Sequence, residues 1–234
     1  MTNVESGSIA PVKVVIVEEF VIFSEALGRA ISIDKEFDYV GSASTPAAAV
    51  ELVTRSQPDV AVIDIDVSLP GDADFDGIDV TEQIKVTRPE TRILILSGRM
   101  DLDSMSRAAS AGACGFLSKE STIDEVFRAI RTAREGGMFV EAELIVPLVE
   151  RLSVGARRSI GGGSTRVEVT PREQEVLTML GEGLDVTVIA RRLGITISTC
   201  RGHVKNLLTK LGSHSQLEAV VEAVHQGLLP HLSR

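Results

Sequence analysis

Cysteine is nearly missing from this chain: among 234 residues there are two, Cys114 and Cys200. Thiols so far apart in sequence suggest neither a disulfide framework nor the closely spaced ligands of a zinc site, and a reduced, cytoplasmic compartment is expected. Long apolar runs are missing too. None approaches the roughly 20 residues that cross a bilayer. The polar stretch Met1 to Ala10 lacks the basic start and apolar centre of a signal peptide, so no membrane partner is expected. There is no glycine-rich nucleotide loop, no nucleophile set beside a base and no internal repeat, which argues against an enzyme of intermediary metabolism. Positive charge is also scarce. Lys and Arg number 24 against 33 Asp and Glu, a net charge of -9, which taken alone counts against nucleic-acid binding.

What is present is unevenly spread. Acids gather in the first half, at Glu18, Glu19, Asp64, Asp66, Asp72, Asp74, Asp76 and Asp79. Beyond Thr170 the bases Arg172, Arg191, Arg192, Arg201, Lys205, Lys210 and Arg234 roughly match the acids, so an acidic protein can still present a locally basic helix. The length suits two modest domains better than one. With 44% hydrophobic and 24% charged residues, a core can be buried without staples.

The first half alternates two textures. Short β-branched runs read as buried strands at Val12 to Val17, Tyr39 to Ala43, Val60 to Asp64, Arg92 to Leu96 and Gly115 to Leu117. Helical periods lie between and after them, at Phe23 to Ser32, Thr45 to Thr54, Ile78 to Thr87, Ser104 to Ala111 and Thr122 to Glu135. Thr45 before Pro46, and Thr122 with Glu125 three residues on, are N-cap signals. Five such units predict a doubly wound, five-stranded parallel sheet of the α/β class. Function in these sheets sits at the carboxyl ends of the strands, and polar residues stand there: Glu18 and Glu19 after the first run, Asp64 ending the third, Ser97 the fourth, Lys119 after the fifth. Carboxylates gathered with an ammonium can bind a hard cation or present a nucleophile to phosphorus.

In this order the residues resemble the receiver domain of bacterial response regulators, over roughly Val12 to Glu135. The motifs are Val-Ile-Val-Glu-Glu at 15–19, Pro58 to Asp64, Leu94 to Ser97 and Gly112 to Lys119. The resemblance implies that Asp64 accepts phosphate from a sensor histidine kinase, that Glu18, Glu19 and Asp64 hold Mg²⁺, that Lys119 pairs with the phosphoryl group, and that Ser97 and Phe116 act together as a switch. Asp66 is the alternative acceptor. The family's loop proline lies four residues after the acceptor, and Pro70 lies four after Asp66 but six after Asp64. The buried strand fixes register more firmly than a loop and favours Asp64. The chain departs from the family in having two glutamates in the acidic pair, each longer than aspartate by a methylene, ~1.5 Å. Mg²⁺ demands near-ideal octahedral geometry, so Mg²⁺-dependent phosphorylation is expected to be weak or absent.

A short helix, interrupted near Pro147, is expected from Glu141 to Leu152, followed by a Gly/Ser-rich linker from Ser153 to Glu168. The tail reads as four helices. The first opens on Thr170-Pro171-Arg172-Glu173 and runs to about Gly181; the second runs from near Asp185 to Gly194; the third follows Ser198 or Thr199 and ends at Gly212; the fourth runs from about Ser215 to Gln226. Leu193-Gly194-Ile195 is the short turn of a helix-turn-helix. Val169 to Val224 is similar to the LuxR-type DNA-binding domain, in the NarL subgroup that carries a receiver. In the third helix Cys200, Val204, Leu207, Leu208 and Leu211 make the apolar stripe, and Arg201 and Lys205 lie one turn apart on the other side. Arg can pair bidentately with guanine. Ser198, Thr199, His203 and Asn206 are candidates for phosphate contacts. Gly202 costs the helix about 1 kcal/mol relative to Ala and can permit close approach to the groove. Val186 and Val188, apolar where polar residues are usual, point to a partner surface that covers the second helix.

The expected protein is a receiver at 11–136, a linker at 137–168 and an all-α, four-helix DNA-binding domain at 169–234. The resemblance implies a cytoplasmic transcriptional regulator that binds double-stranded operator DNA as a homodimer and works with the transcription machinery. Leu217, Val220, Val221 and Val224 are candidates for the dimer seam, with packing inside one chain as the alternative. Two rivals stand beside this reading. One is a phosphorylation-independent regulator controlled by a protein partner, a ligand or abundance. The other is a phosphotransfer or protein-interaction module with a vestigial DNA domain.

Overall fold

The structure is a computed structural model that describes residues 10–68, 75–99, 101–140, 148, 167–213 and 215–229. Expectations on Pro70, Asp72, Asp74, the helix Glu141 to Leu152 apart from Leu148, most of the linker and Arg234 fall outside these residues.

Five strands, β1 (Val12–Val17), β2 (Phe37–Ala43), β3 (Val60–Asp64), β4 (Arg92–Ser97) and β5 (Gly115–Ser118), alternate with α1 (Val21–Ile33), α2 (Pro46–Ser56), α3 (Gly77–Thr87), α4 (Leu102–Ser110) and α5 (Ile123–Arg134). The sheet is parallel with order β2-β1-β3-β4-β5. Period-two alternation sorts its side chains between two cores. Val12, Val14 and Ile16 join Leu27, Ile31, Val126 and Ile130 on the α1 and α5 side. Val15, Val17, Ala61 and Ile63 join Val53, Ile78, Ile84 and Met105 on the other. Each large aliphatic side chain buried this way contributes roughly 1.5–3 kcal/mol, and a register slip would put every one of them on the wrong face.

The winding direction changes between β1 and β3, so their carboxyl ends open side by side. α3 is held close to that opening by Gly77, where a Cβ would run into the Asp64 carbonyl. Phe139 lies in the receiver body and not in the linker where the sequence put it: its N–H donates to the Cys114 carbonyl, and its own carbonyl accepts from Phe116 N–H at 2.8 Å.

Four further helices follow: α6 (Pro171–Gly181), α7 (Val186–Leu193), α8 (Ile197–Leu211) and α9 (Gln216–His225). Thr170 caps α6 in a capping box with Glu173, and Asp185 caps α7, which ends on Gly194 in the left-handed conformation. The cap of α8 is Thr196, whose hydroxyl accepts from Thr199 N–H, and not Ser198 or Thr199. Glu173 is buried and accepts from Lys210 Nζ at 2.7 Å. Burial pushes its carboxyl up, but Lys210 and the Thr170 cap outweigh burial and hold its pKa below the ordinary value.

Leu217, Val220, Val221 and Val224 are all buried within the chain. α9 packs on α6 and α8 and also touches α4 of the first domain. The seam expected on these four side chains is therefore corrected to packing inside one chain, because the face that carries them is already spent on the domain's own core.

Candidate receiver pocket and nucleic-acid interface

At the β1/β3 opening three of the expected residues meet. Asp64 is fully buried, Glu18 is 1% exposed, and Lys119 reaches both. Its Nζ lies 2.8 Å from Asp64 Oδ2 and 3.0 Å from Glu18 Oε2. Lys119 is positioned by its own N–H, which donates to the Ser97 carbonyl, and its ammonium faces the rings of Phe20 and Phe23 at 5.3 and 5.6 Å, a cation–π arrangement. Burial raises the pKa of Asp64; the bonds from Lys119 and Asp66 N–H lower it, and the neighbouring Glu18 carboxylate raises it again, leaving it above the ordinary carboxylate value. For Lys119 burial works in the opposite sense, and the bonds to Asp64 and Glu18 outweigh it and hold the ammonium's pKa up.

Other expected residues stand elsewhere. Glu19 is exposed. Asp66 is exposed and donates only its backbone N–H to Asp64 Oδ1, at 3.2 Å. Ser97 is buried at the end of β4, but its hydroxyl donates to the Arg99 carbonyl at 2.7 Å and not to Asp64. Phe116 is buried in the sheet core. Among the described residues no three His, Cys, Asp or Glu side chains converge as a metal site. Glu18 and Asp64 share the Lys119 ammonium while Glu19 faces solvent, so the three carboxylates do not converge as one Mg²⁺ ligand set in this arrangement.

In the second domain α8 turns Cys200, Val204, Leu207 and Leu211 inward, as expected, with Leu208 half-buried. Ser198, Thr199, Arg201, Gly202, Lys205 and Asn206 are exposed, and His203 is half-buried. Arg201 is not free, however. Its Nε donates to the backbone carbonyl of Glu135, just past α5, at 2.8 Å, and its Nη2 lies 4.0 Å from the Glu135 carboxylate. The same carboxylate accepts from Thr187 Oγ1 on α7 at 2.9 Å. Val186 and Val188 line a crevice of about 270 Å³ against Arg128, Arg131 and Glu135 of the first domain. The partner surface expected over the second helix is thus corrected: the chain's own first domain lies there. Sequence reasoning missed Glu135 and Thr187, since no motif marks them and only the docked arrangement brings them together.

Two family models match: "Response regulator receiver domain" over residues 14–131, and "Bacterial regulatory proteins, luxR family" over residues 168–223. The chain belongs to the LuxR-type response regulators. Among relatives of this DNA-binding family of transcription regulators, the "Probable transcriptional regulatory protein NarL" of Mycobacterium tuberculosis is 32% identical over 218 residues, 93% of this chain and 96% of that protein. The transcriptional regulatory protein DegU of Brevibacillus brevis is 27% identical over 227 residues, covering 92% and 94%. The RcsB response regulator of Salmonella typhimurium has the same fold across 91% of this chain and 97% of its own, with a TM-score of 0.52 at 24% identity. Among the described residues of this response regulator, no helix is long and apolar enough to cross a membrane.

Proposed function

We propose that this regulator reads double-stranded operator DNA as a homodimer through the exposed face of α8, and that its receiver withholds that face by the grip of Glu135 on Arg201 and Thr187. The bond between Arg201 and the Glu135 carbonyl carries the reading, because one guanidinium cannot pair with a base edge while it is held there. Arg201 and Lys205 supply base readout, and Ser198, Thr199, His203 and Asn206 supply phosphate contacts that set register. The dimer matches paired half-sites and uses surfaces other than the buried side chains of α9. The chain acts in the cytoplasm with the transcription machinery, without membrane contact and without enzymatic turnover. Titration of labelled operator fragments tests this. Arg201→Ala should cost about 1–3 kcal/mol of binding and relax base preference. Glu135→Ala keeps the backbone carbonyl but removes the carboxylate that accepts from Thr187 and faces Arg201, and should tighten binding by about fivefold, the value of one ordinary hydrogen bond. Unchanged affinity and preference for both variants would overturn the assignment.

A second observation favours control without phosphate. A phosphoryl group brings close to two negative charges into a pocket where Asp64 and Glu18 already depend on one ammonium. In this reading Mg²⁺-dependent phosphorylation of Asp64 is weak or absent, DNA binding does not require it, and opening is driven by a protein partner, a ligand or abundance. A sensor histidine kinase is a partner only where phosphotransfer operates. Incubation with Mg²⁺ and acetyl phosphate, followed by intact-mass measurement, decides the matter. Stoichiometric phosphate that disappears in Asp64→Asn, together with much tighter DNA binding, would refute this part of the proposal.

A further inference from the structure

Gly202 stands near the middle of α8, and nothing among the described residues asks for a glycine there. Its φ is not positive, so its backbone is open to any residue. It is exposed, and a Cβ built on it would meet no atom within 4 Å. That holds with Arg201 seated against Glu135, so docking of the receiver does not need the glycine either. A central helix position filled by glycine is a standing loss of helix stability, and no contact among the described residues offsets it.

The position of the gap suggests what uses it. At about 100° per residue, Gly202 points away from the buried stripe of Cys200, Val204, Leu207 and Leu211. Ser198 and Asn206 lie one turn before and after it, and Arg201 and Lys205 lie together along one side of it. The missing side chain is therefore a dent on the outermost line of the helix, between Ser198 and Asn206 and beside the two cations. A wall of side chains there would hold the backbone off a ligand; the dent lets a ligand reach it.

We propose that Gly202 is a specificity-determining residue of the DNA interface: it lets the edge of a base in the major groove approach the α8 backbone while Arg201 and Lys205 engage the bases or phosphates beside it. The inference rests on the DNA reading above. It predicts an unusual pairing of effects, in which substitution improves the free protein and damages the complex. Gly202→Ala should raise the melting temperature of the full chain by removing the helix penalty. At the same time it should weaken binding to the preferred site about tenfold, the size of one misplaced base contact. Gly202→Val should weaken it further. Affinity for unrelated duplex DNA at low salt should stay unchanged in both, since the cations remain.

The experiment is selection of sites from random double-stranded oligonucleotides by the full-length wild type and by Glu135→Ala, followed by titration of the selected duplex with the Gly202 and Arg201 variants. If a site is selected, Arg201→Ala abolishes preference for it, and Gly202→Ala binds it as well as or better than wild type, the inference is wrong and the DNA reading stands. If neither wild type nor Glu135→Ala selects any sequence, the DNA reading fails and the inference with it. Higher stability with tenfold weaker site binding in Gly202→Ala supports both.

Discussion

Two buried carboxylates in this protein each bond a lysine at nearly the same distance, Asp64 to Lys119 at 2.8 Å and Glu173 to Lys210 at 2.7 Å, yet their acidities move in opposite directions. Asp64 is held above its ordinary value and Glu173 below. The neighbours account for it. Asp64 is buried at the end of a strand beside a second carboxylate, Glu18, that competes for the same ammonium. Glu173 stands in the first turn of α6, where the Thr170 N–H donates to it at 2.8 Å and helix polarity favours negative charge. One ion pair is under tension and the other is relaxed. The tense one lies at the carboxyl end of the sheet, beside Glu18; the relaxed one ties α6 to α8.

The largest test of this contrast removes each cation. Lys119→Met leaves two buried carboxylates without a cation, each keeping one backbone N–H donor, and should cost the receiver about 3–5 kcal/mol, with much of the deficit recovered as pH falls and the acids take up protons. Lys210→Met leaves one carboxylate that keeps its helix cap, and should cost only about 1 kcal/mol. Denaturant unfolding at pH 7 and at lower pH measures both, and equal losses would break the comparison.

A smaller effect carries opposite signs. At pH 7, Glu173→Gln should destabilise by about 1.5 kcal/mol, since it loses charge-assisted bonds. A depressed acid contributes stability above its unfolded value, near 4.5, and loses it as pH drops, so the difference from wild type should vanish in acid. Asp64→Asn should instead stabilise by about 1 kcal/mol at pH 7. A raised acid is penalised as pH climbs above its unfolded value of 3.8, so this gain should shrink toward that pH. Unfolding midpoints across a pH series would expose a failure as two curves of the same sign. The smallest change, Thr170→Ala, should cost about 1 kcal/mol through loss of the cap and allow the Glu173 carboxyl to return part of the way toward its ordinary value, observable by NMR titration.

Much of this architecture was legible beforehand, and the misses have local causes. A strand with a buried apolar run, such as Val60 to Asp64, shows its true limits in the sequence. The start of β2 was read two residues late because Asp38 and the half-buried residues after it disguise an edge strand. α1 begins at Val21 without any side-chain cap, so there was nothing to read. α4 was placed late because Asp101, its cap, went unrecognised. At the pocket, strand ends foretold the meeting of Glu18, Asp64 and Lys119. They could not foretell that Glu19 faces solvent, because adjacent residues in extended chain face opposite ways and the chain turns directly into α1. The Glu135 contacts depend on how two domains dock, which no local pattern encodes.

That docking also runs in both directions. If Arg201 is held either by Glu135 or by DNA, the two states exclude each other, and the coupling between them is a single free energy seen from both ends. Operator DNA then acts as an effector of the receiver as much as the receiver acts on DNA binding. A copy seated on its site presents an α5 terminus and an α7 flank that an unbound copy conceals. Any factor that recognises those surfaces will gather at occupied operators without reading a base itself.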